Sequence, residues 1–318
     1  MTQTTSALKS NPTDTQSAAT TETRDEKLAN LDAEYASYLD NHPDMPSRWL
    51  LAQTLLTARE RRMMLDMIQF QPGWRVLDAG SGFGQIPLEI AASVPIRAVG
   101  VDTDPGNLRV AARVAERLGG TRHLCDGASV ELTQASVYDL PIPSNTFDLV
   151  ICRFVYQHLG DPQCATTELY RVLREGGQLL VMDIDDQFSI TYPQNSNALT
   201  QLQSAFARLQ ADNGGDRFVG RKLSGYLAEA GFQIAATMLW PQSAHTSAQD
   251  GSASRLFELE RLSGARDEIV SRGIMGAHDF DHYVNEYASE DPTGQFSCNA
   301  QVIALGRKPA LDAGSMKR

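Results

Sequence analysis

Lysine is scarce: the 318 residues hold five, Lys9, Lys27, Lys222, Lys308 and Lys317. The long stretch between Lys27 and Lys222 therefore supplies no lysine for a phosphate loop or a Schiff base. No basic run occurs, and 28 Lys and Arg stand against 39 Asp and Glu, a formal net charge of −11. A phosphate-backbone binder draws its affinity from cationic neutralisation, so nucleic acid is not an expected partner. No apolar run approaches the roughly 18 to 20 residues that cross a bilayer, and Met1 to Lys27 lacks the apolar centre of a signal peptide. The expectation is a cytoplasmic chain with no membrane span. The four cysteines, Cys125, Cys152, Cys164 and Cys298, form no C-x-x-C pair. That argues against zinc and disulfide-exchange chemistry, and the thiols are expected to be reduced. What is present is a hydrophobic content of 42%, ample for a sizeable core in one or two domains.

Residues 1–24 carry almost no large apolar side chain, too little burial to offset the entropy of ordering, and read as a disordered tail. Over 25–70 apolar positions such as Leu51, Leu55 and Met63 recur at helical spacing, broken by Pro43 and Pro46, which predicts helices preceding the core. From Trp74 short β-rich runs alternate with helical segments, the pattern of a parallel sheet with helices on both faces. Strands are expected over 75–79, 96–101, 129–135, 147–152 and 178–183, then 232–239 and 297–305. Between the second and third, Pro105 opens a helix whose Leu108, Ala111, Ala112, Ala115 and Leu118 share one face and which Gly119 ends. Helices are also expected over 196–209, 221–230, 255–274 and 279–287, with a polar loop over 242–254. The chain divides on this reading into a core over 71–240, a helical cap insertion over 241–295, a final core strand over 296–308 and a tail over 309–318. A long insertion in a compact domain is more often functional or disordered than neutral, and it is read here as a cap over a pocket.

The first expected strand runs into Asp78-Ala79-Gly80-Ser81-Gly82-Phe83-Gly84, with a helix from about Gln85. Glycines at 80, 82 and 84 remove the Cβ atoms that would block a ligand, and the turn sets a helix N-terminus beside the site. A dinucleotide fingerprint is G-x-G-x-x-G; here the third glycine falls one place early and Gln85 occupies its position, so pyrophosphate is the poorer fit. Asp78 would repel a diphosphate and can instead accept, through water, from a ligand ammonium group. The second strand ends in Asp102, placed to grip both hydroxyls of a ribose, whereas Asp104 before Pro105 suits a helix N-cap.

With those residues in hand, the chain resembles the class I methyltransferases dependent on S-adenosylmethionine (AdoMet), particularly the small-molecule branch that includes quinone-biosynthesis C-methyltransferases. The glycine loop Asp78 to Gly84 is similar to the family's first motif and Asp102 to its ribose-binding acid. Leu140-Pro141-Ile142-Pro143 through Phe147-Asp148-Leu149-Val150 resembles its approach to the fourth strand, and Leu173 to Leu179 its turn into the fifth. The resemblance implies a Rossmann-like, mostly parallel seven-stranded α/β sheet with helical lids. It further implies AdoMet as cofactor, with Asp78, Gly80, Ser81, Gly82, Gly84, Asp102 and Thr103 around it. Where the family often has an acid for the adenine amino group, this chain has Ser136, with the Val137 amide beside it and Tyr138 and Asp139 near.

The sulfonium methyl of AdoMet is already activated, so the enzyme mainly aligns a nucleophile, removing a proton where one must leave. Candidates follow the fourth strand. His158 can act as a general base or simply line the cofactor pocket, and Tyr156 can bind or orient a substrate group. Arg153 can pair with the AdoMet carboxylate, a substrate anion or a surface acid. Tyr35, Tyr38 and Trp49 either fold over the cofactor or pack in the core. The cluster Arg217 to Lys222 either meets an acidic substrate or caps the next helix. His278 and His282 stand one helical turn apart, but without a third ligand of clear spacing no metal is expected. A small-molecule acceptor in secondary or quinone-type metabolism is implied by the resemblance alone. Two alternatives remain: an NAD(P)-dependent oxidoreductase, which the glycine spacing and the lack of a Tyr-x-x-x-Lys pair disfavour, and a non-catalytic AdoMet-binding protein.

Overall fold

The computed structural model describes residues 5–9, 22–291 and 293–310. The strands are β1 Thr5–Lys9, β2 Arg75–Ala79, β3 Arg97–Asp102, β4 Ser129–Gln134, β5 Phe147–Arg153, β6 Leu173–Tyr192, β7 Gln233–His245 and β8 Phe296–Arg307. The α-helices are α1 Arg24–Asn41, α2 Arg48–Leu56, α3 Ala58–Asp66, α4 Gln85–Ser93, α5 Pro105–Arg117 and α6 Pro162–Val172. They continue as α7 Asn197–Asp212, α8 Leu223–Glu229, α9 Ala248–Gly264, α10 Arg266–Ser271 and α11 Ala277–Ser289. One sheet holds all eight strands in the order β1-β4-β3-β2-β5-β6-β8-β7. β4, β3, β2, β5 and β6 run parallel, and β8 returns antiparallel to both β6 and β7. The seven expected strands are all present. The eighth corrects the tail reading: Thr5–Lys9 pairs antiparallel with Ser129–Thr133 of β4. Sheet hydrogen bonds order these five residues. Most of the remaining expected tail, and residues 311–318, lie outside the described residues.

Local chemistry explains the helix starts. Thr23 and Glu26 form a reciprocal capping box on α1. Asp104 accepts from the Gly106 amide at 2.6 Å with Pro105 at the first position of α5, and Asp161 does the same for Cys164 at 2.9 Å ahead of Pro162 in α6. Helices cover both faces of the sheet. One face buries Tyr35 of α1, Leu88 of α4 and Val110 of α5, and the other buries Leu169 of α6 and Leu227 of α8. A third cluster joins Leu202 and Leu209 of α7 to Leu262 of α9, Ile269 of α10 and Phe280 of α11. The polar stretch 242–254 departs from the loop expected there: β7 continues to His245 by pairing with Phe296 of β8, and α9 begins at Ala248.

The topology positions the site. The chain adds β3 and β4 on one side of β2, then crosses back to lay β5 on the other, in register Asp78 with Ile151. Ligands of open α/β sheets bind in the crevice at such a reversal, beyond the carboxyl ends of the strands.

Candidate active site

The loop after β2 turns tightly because Gly80, Gly82 and Gly84 take φ of 82°, 52° and 73°, a region costly for a side chain. At Gly80 a Cβ would stand 2.3 Å from Val155 Cγ2, so glycine there lets the loops after β2 and β5 meet. At Gly82 nothing lies within 4 Å of the place a Cβ would occupy, and this glycine lines the cavity. Gly84 does not line it; it starts α4 and backs onto Ala111, 3.0 Å from a would-be Cβ. The Tyr35 hydroxyl donates to the Phe83 carbonyl at 2.5 Å, fastening α1 to the loop from behind. Tyr35 is thus a core residue with a loop contact, Tyr38 stacks on His42, and of these three aromatics Trp49 lines the cavity.

The cavity measures about 570 Å³ and lies at the ends of β2, β3 and β5. Asp78, Gly80, Ser81, Gly82, Asp102, Thr103, Ser136, Val137, Arg153 and His158, all expected at the site, line it. Asp102 accepts from the Gly82 amide at 2.7 Å and the Asp104 amide at 2.9 Å, one bond on each oxygen, leaving lone pairs for a diol. Burial raises its pKa, and the two backbone donors oppose that shift. Asp78 is buried deeper; desolvation, then repulsion from Asp102, pushes it up to about 8. Arg153 lies beside it, its guanidinium stacked 4.0 Å over the Phe154 ring. Arg153 Nε and Nη2 are buried without a hydrogen-bond partner, and desolvation together with Arg61 lowers its pKa to about 9. Ser81 Oγ and Gln85 Nε2, also on the cavity wall, are likewise buried and unpartnered. Buried polar groups are rarely left so, and a cluster of them marks a place where a polar ligand completes the hydrogen bonding.

Beneath Arg153 lies an ion network that sequence reading missed. Arg61, 2% exposed, makes a two-pronged pair with Glu89, also 2% exposed, at 2.9 and 2.8 Å, and donates to the Thr54 carbonyl at 2.7 Å. Arg62 joins Glu89 at 2.9 Å and Asp32 at 2.6 Å. The network ties α3 to α4 and to α1, so the N-terminal helices are anchored to the helix that follows the glycine loop. At the end of the cavity beyond β4, Ser136 sits in a tight turn, its carbonyl accepting from the Asp139 amide at 3.1 Å and its Oγ accepting from the Tyr138 amide at 3.3 Å. Ser136, Val137 and Tyr138 all line the cavity.

His158 stands on the wall with its pKa lowered by desolvation and then by Arg217, which favours the neutral imidazole. Tyr156 requires correction. Its side chain is fully buried in the core behind the cavity, with the hydroxyl 2.8 Å from Thr166 Oγ1. Residues 156–158 form a single tight helical turn, which sends positions 156 and 158 in different directions and leaves Tyr156 unable to orient a substrate. The turn is clasped through Gln157: its amide donates to Asp183, and its carbonyl accepts from Gln210 Nε2 and the Asp216 amide, each at 2.9 Å.

Arg217 lines the cavity and pairs with Asp186, whereas Arg221 pairs with Asp185 and Lys222 with Asp216. The cationic stretch thus splits between cavity and scaffold. The insertion brings Arg261 of α9 to the wall, and the Arg48–Glu260 pair at 2.5 Å joins α2 to α9. Glycine spacing and strand order made the glycine-loop half of the cavity readable; Arg61 pairs with Glu89, 28 residues away, and Arg261 lies over Phe206 of α7, contacts that leave no local signal. His278 and His282 are exposed, nearest to Asp279 and Glu286 respectively, and lie outside the cavity.

With this geometry in place, the comparisons agree. A family model described as a methyltransferase domain matches residues 77–181. An uncharacterised methyltransferase of Schizosaccharomyces pombe is 31% identical over 200 residues, covering 62% of this chain and 67% of that protein. A demethylmenaquinone methyltransferase of Thermus thermophilus is 33% identical over 126 residues, covering 39% of this chain and 54% of that one. A Bacillus halodurans structure solved as a candidate methyltransferase superposes with a TM-score of 0.52 at 20% identity, over 78% of this chain and 98% of the other, a likeness of fold. The chain belongs to the class I AdoMet-dependent methyltransferases. It spans between 45% and 63% of the length of three of the curated relatives that it matches, the Thermus thermophilus protein among them.

Proposed function

We propose that the protein transfers a methyl group from AdoMet to a small-molecule acceptor. The observation that carries this reading is the juxtaposition of an unpartnered buried guanidinium, Arg153, with a buried carboxyl, Asp78, which an arriving ammonium would ionise, on one cavity wall. An amino-acid headgroup has the complementary pair of charges: its carboxylate matches Arg153 and its ammonium matches Asp78. Asp102 would hold the ribose hydroxyls, Gly82 would allow close backbone approach, and Ser136 and Val137 would meet the adenine. When bound, AdoMet supplies a methyl group on a positively charged sulfur, already activated for displacement.

The protein's part is alignment. α2 and Arg261 of the insertion close the cavity opposite the glycine loop, keeping water from the methyl group. His158 on the cavity wall would take up the proton that an acceptor loses on methylation, and the cavity would hold that acceptor in line with the methyl group. Relatives named for quinone biosynthesis support a quinone-type or other secondary metabolite as acceptor. The acidic balance supports a protein that works free of nucleic acid. Formation of S-adenosylhomocysteine from AdoMet across a metabolite panel tests the proposal; a chain that binds AdoMet yet forms no product above background with any acceptor is a binding protein instead. With an acceptor found, His158→Ala is expected to lower turnover about 100-fold or more, the usual scale of general-base catalysis.

A further inference from the structure

The carboxylates lining the cavity are confined to one side, where Arg61 and Arg153 accompany them. The three, Asp78, Asp102 and Asp104, all follow β2 or β3, on the cofactor side. The opposite end, built by the turn at His158, by α7, by Arg217 and by α9, presents two guanidiniums, an imidazole whose neutral form is favoured and no carboxylate. Both guanidiniums flank one aromatic ring: Arg261 lies 4.5 Å and Arg217 5.8 Å from the Phe206 centroid. Each is held rigid by an acid outside the lining. Arg261 donates through Nε at 3.1 Å and Nη2 at 2.6 Å to Glu258, and Arg217 through Nη2 at 2.9 Å to Asp186. Glu258 is buried with Arg261 and offsets much of its charge, and Arg217 also donates through Nη1 to Gln210 at 3.2 Å. Asp186 is the more solvent-exposed partner of its pair, and the charge of Arg217 is still felt at His158. Arg261 Nη1 makes no hydrogen bond among the described residues, so the fork has donors to offer.

We propose, building on the methyltransferase reading, that the acceptor is an organic acid whose carboxylate sits on Arg261 and Arg217 and whose flat apolar body lies toward Trp49, Leu50 and Leu159. Preset guanidiniums suit a carboxylate, because a rigid fork pays little entropy to accept a planar anion. A neutral acceptor of the same shape would leave the Arg261 Nη1 donors without a charged partner.

The test uses the whole chain loaded with S-adenosylhomocysteine, titrated calorimetrically with 1-naphthoate and with its uncharged counterpart 1-naphthamide. Naphthoate is expected to bind at least tenfold more tightly. Arg261→Gln is expected to erase that preference and Arg261→Lys to keep part of it, the S-adenosylhomocysteine affinity of each variant showing first that its cavity is formed. Equal binding of acid and amide, a preference that survives Arg261→Gln, or no naphthoate binding to the loaded chain overturns the inference while leaving the methyltransferase reading intact. Failure of S-adenosylhomocysteine itself to bind the unaltered chain overturns that reading instead.

Discussion

The Gly82 amide donates to Asp102 Oδ2 across 2.7 Å, so the glycine loop after β2 and the acid that ends β3 form one rigid cradle. Twenty residues of chain separate them. Parallel pairing of Asp78 with Gly100 and of Ala79 with Val101 brings them together. A ligand that places a diol on the carboxylate therefore meets a preset geometry, which lowers the entropy of binding.

Arg153 is the first point of test. Its guanidinium has two unpartnered buried nitrogens, a cost that the free protein bears. Arg153→Met is expected to weaken AdoMet binding by about 1.5 to 3 kcal/mol, the range for a hydrogen bond to a charged group. The free protein should lose no more than about 1 kcal/mol, the scale of the stacking on Phe154. Calorimetry and urea unfolding read the two effects separately; a large stability loss with unchanged affinity would assign Arg153 to the scaffold.

Asp78 predicts proton release. In the free fold its carboxyl keeps a proton up to about pH 8, whereas in the unfolded chain it is lost near pH 4. The folded state thus binds more protons across that window, and this group's contribution to stability falls as pH rises from about 4 to about 8. An ammonium arriving beside Asp78 favours the carboxylate, so AdoMet binding at pH 7 should expel a proton into the buffer. Titrations in buffers of different ionisation enthalpy measure it, and Asp78→Asn should abolish it; binding heats independent of buffer would contradict the assignment.

Gly80 tests the loop itself. A Cβ there meets both a φ of 82° and a Val155 methyl at 2.3 Å. Gly80→Ala is expected to cost about 2 kcal/mol or more, the left-handed penalty plus overpacking. The urea midpoint should fall accordingly, and an unchanged midpoint would mean that the loops after β2 and β5 separate freely.

How far the sequence reaches follows from range. The β-rich runs and the glycine spacing are local signals, and β2 and the start of α5 stand where they placed them. β1 escaped because Thr5–Lys9 is ordered by β4, more than a hundred residues away. β7 and β8 outgrew their apolar runs because each pairs with the other out to His245 and Phe296, through polar residues. Tyr156 and His158 looked equivalent in sequence, and only the tight turn between them separates a buried core phenol from a cavity imidazole. Arg61, whose ion pair with Glu89 underlies the cofactor wall, reads in sequence as one more charge on a solvated helix.

The central claim is that one cavity holds the amino-acid end of AdoMet between Asp78 and Arg153 and its ribose on Asp102. Calorimetric titration of AdoMet into the unaltered chain and into Asp102→Ala, with NAD as the comparison ligand, tests it most directly. The expected result is one AdoMet per chain, a loss of about 1 to 3 kcal/mol in the variant and no heat with NAD. Equal AdoMet affinity in the two proteins, or tighter binding of NAD than of AdoMet, would contradict it.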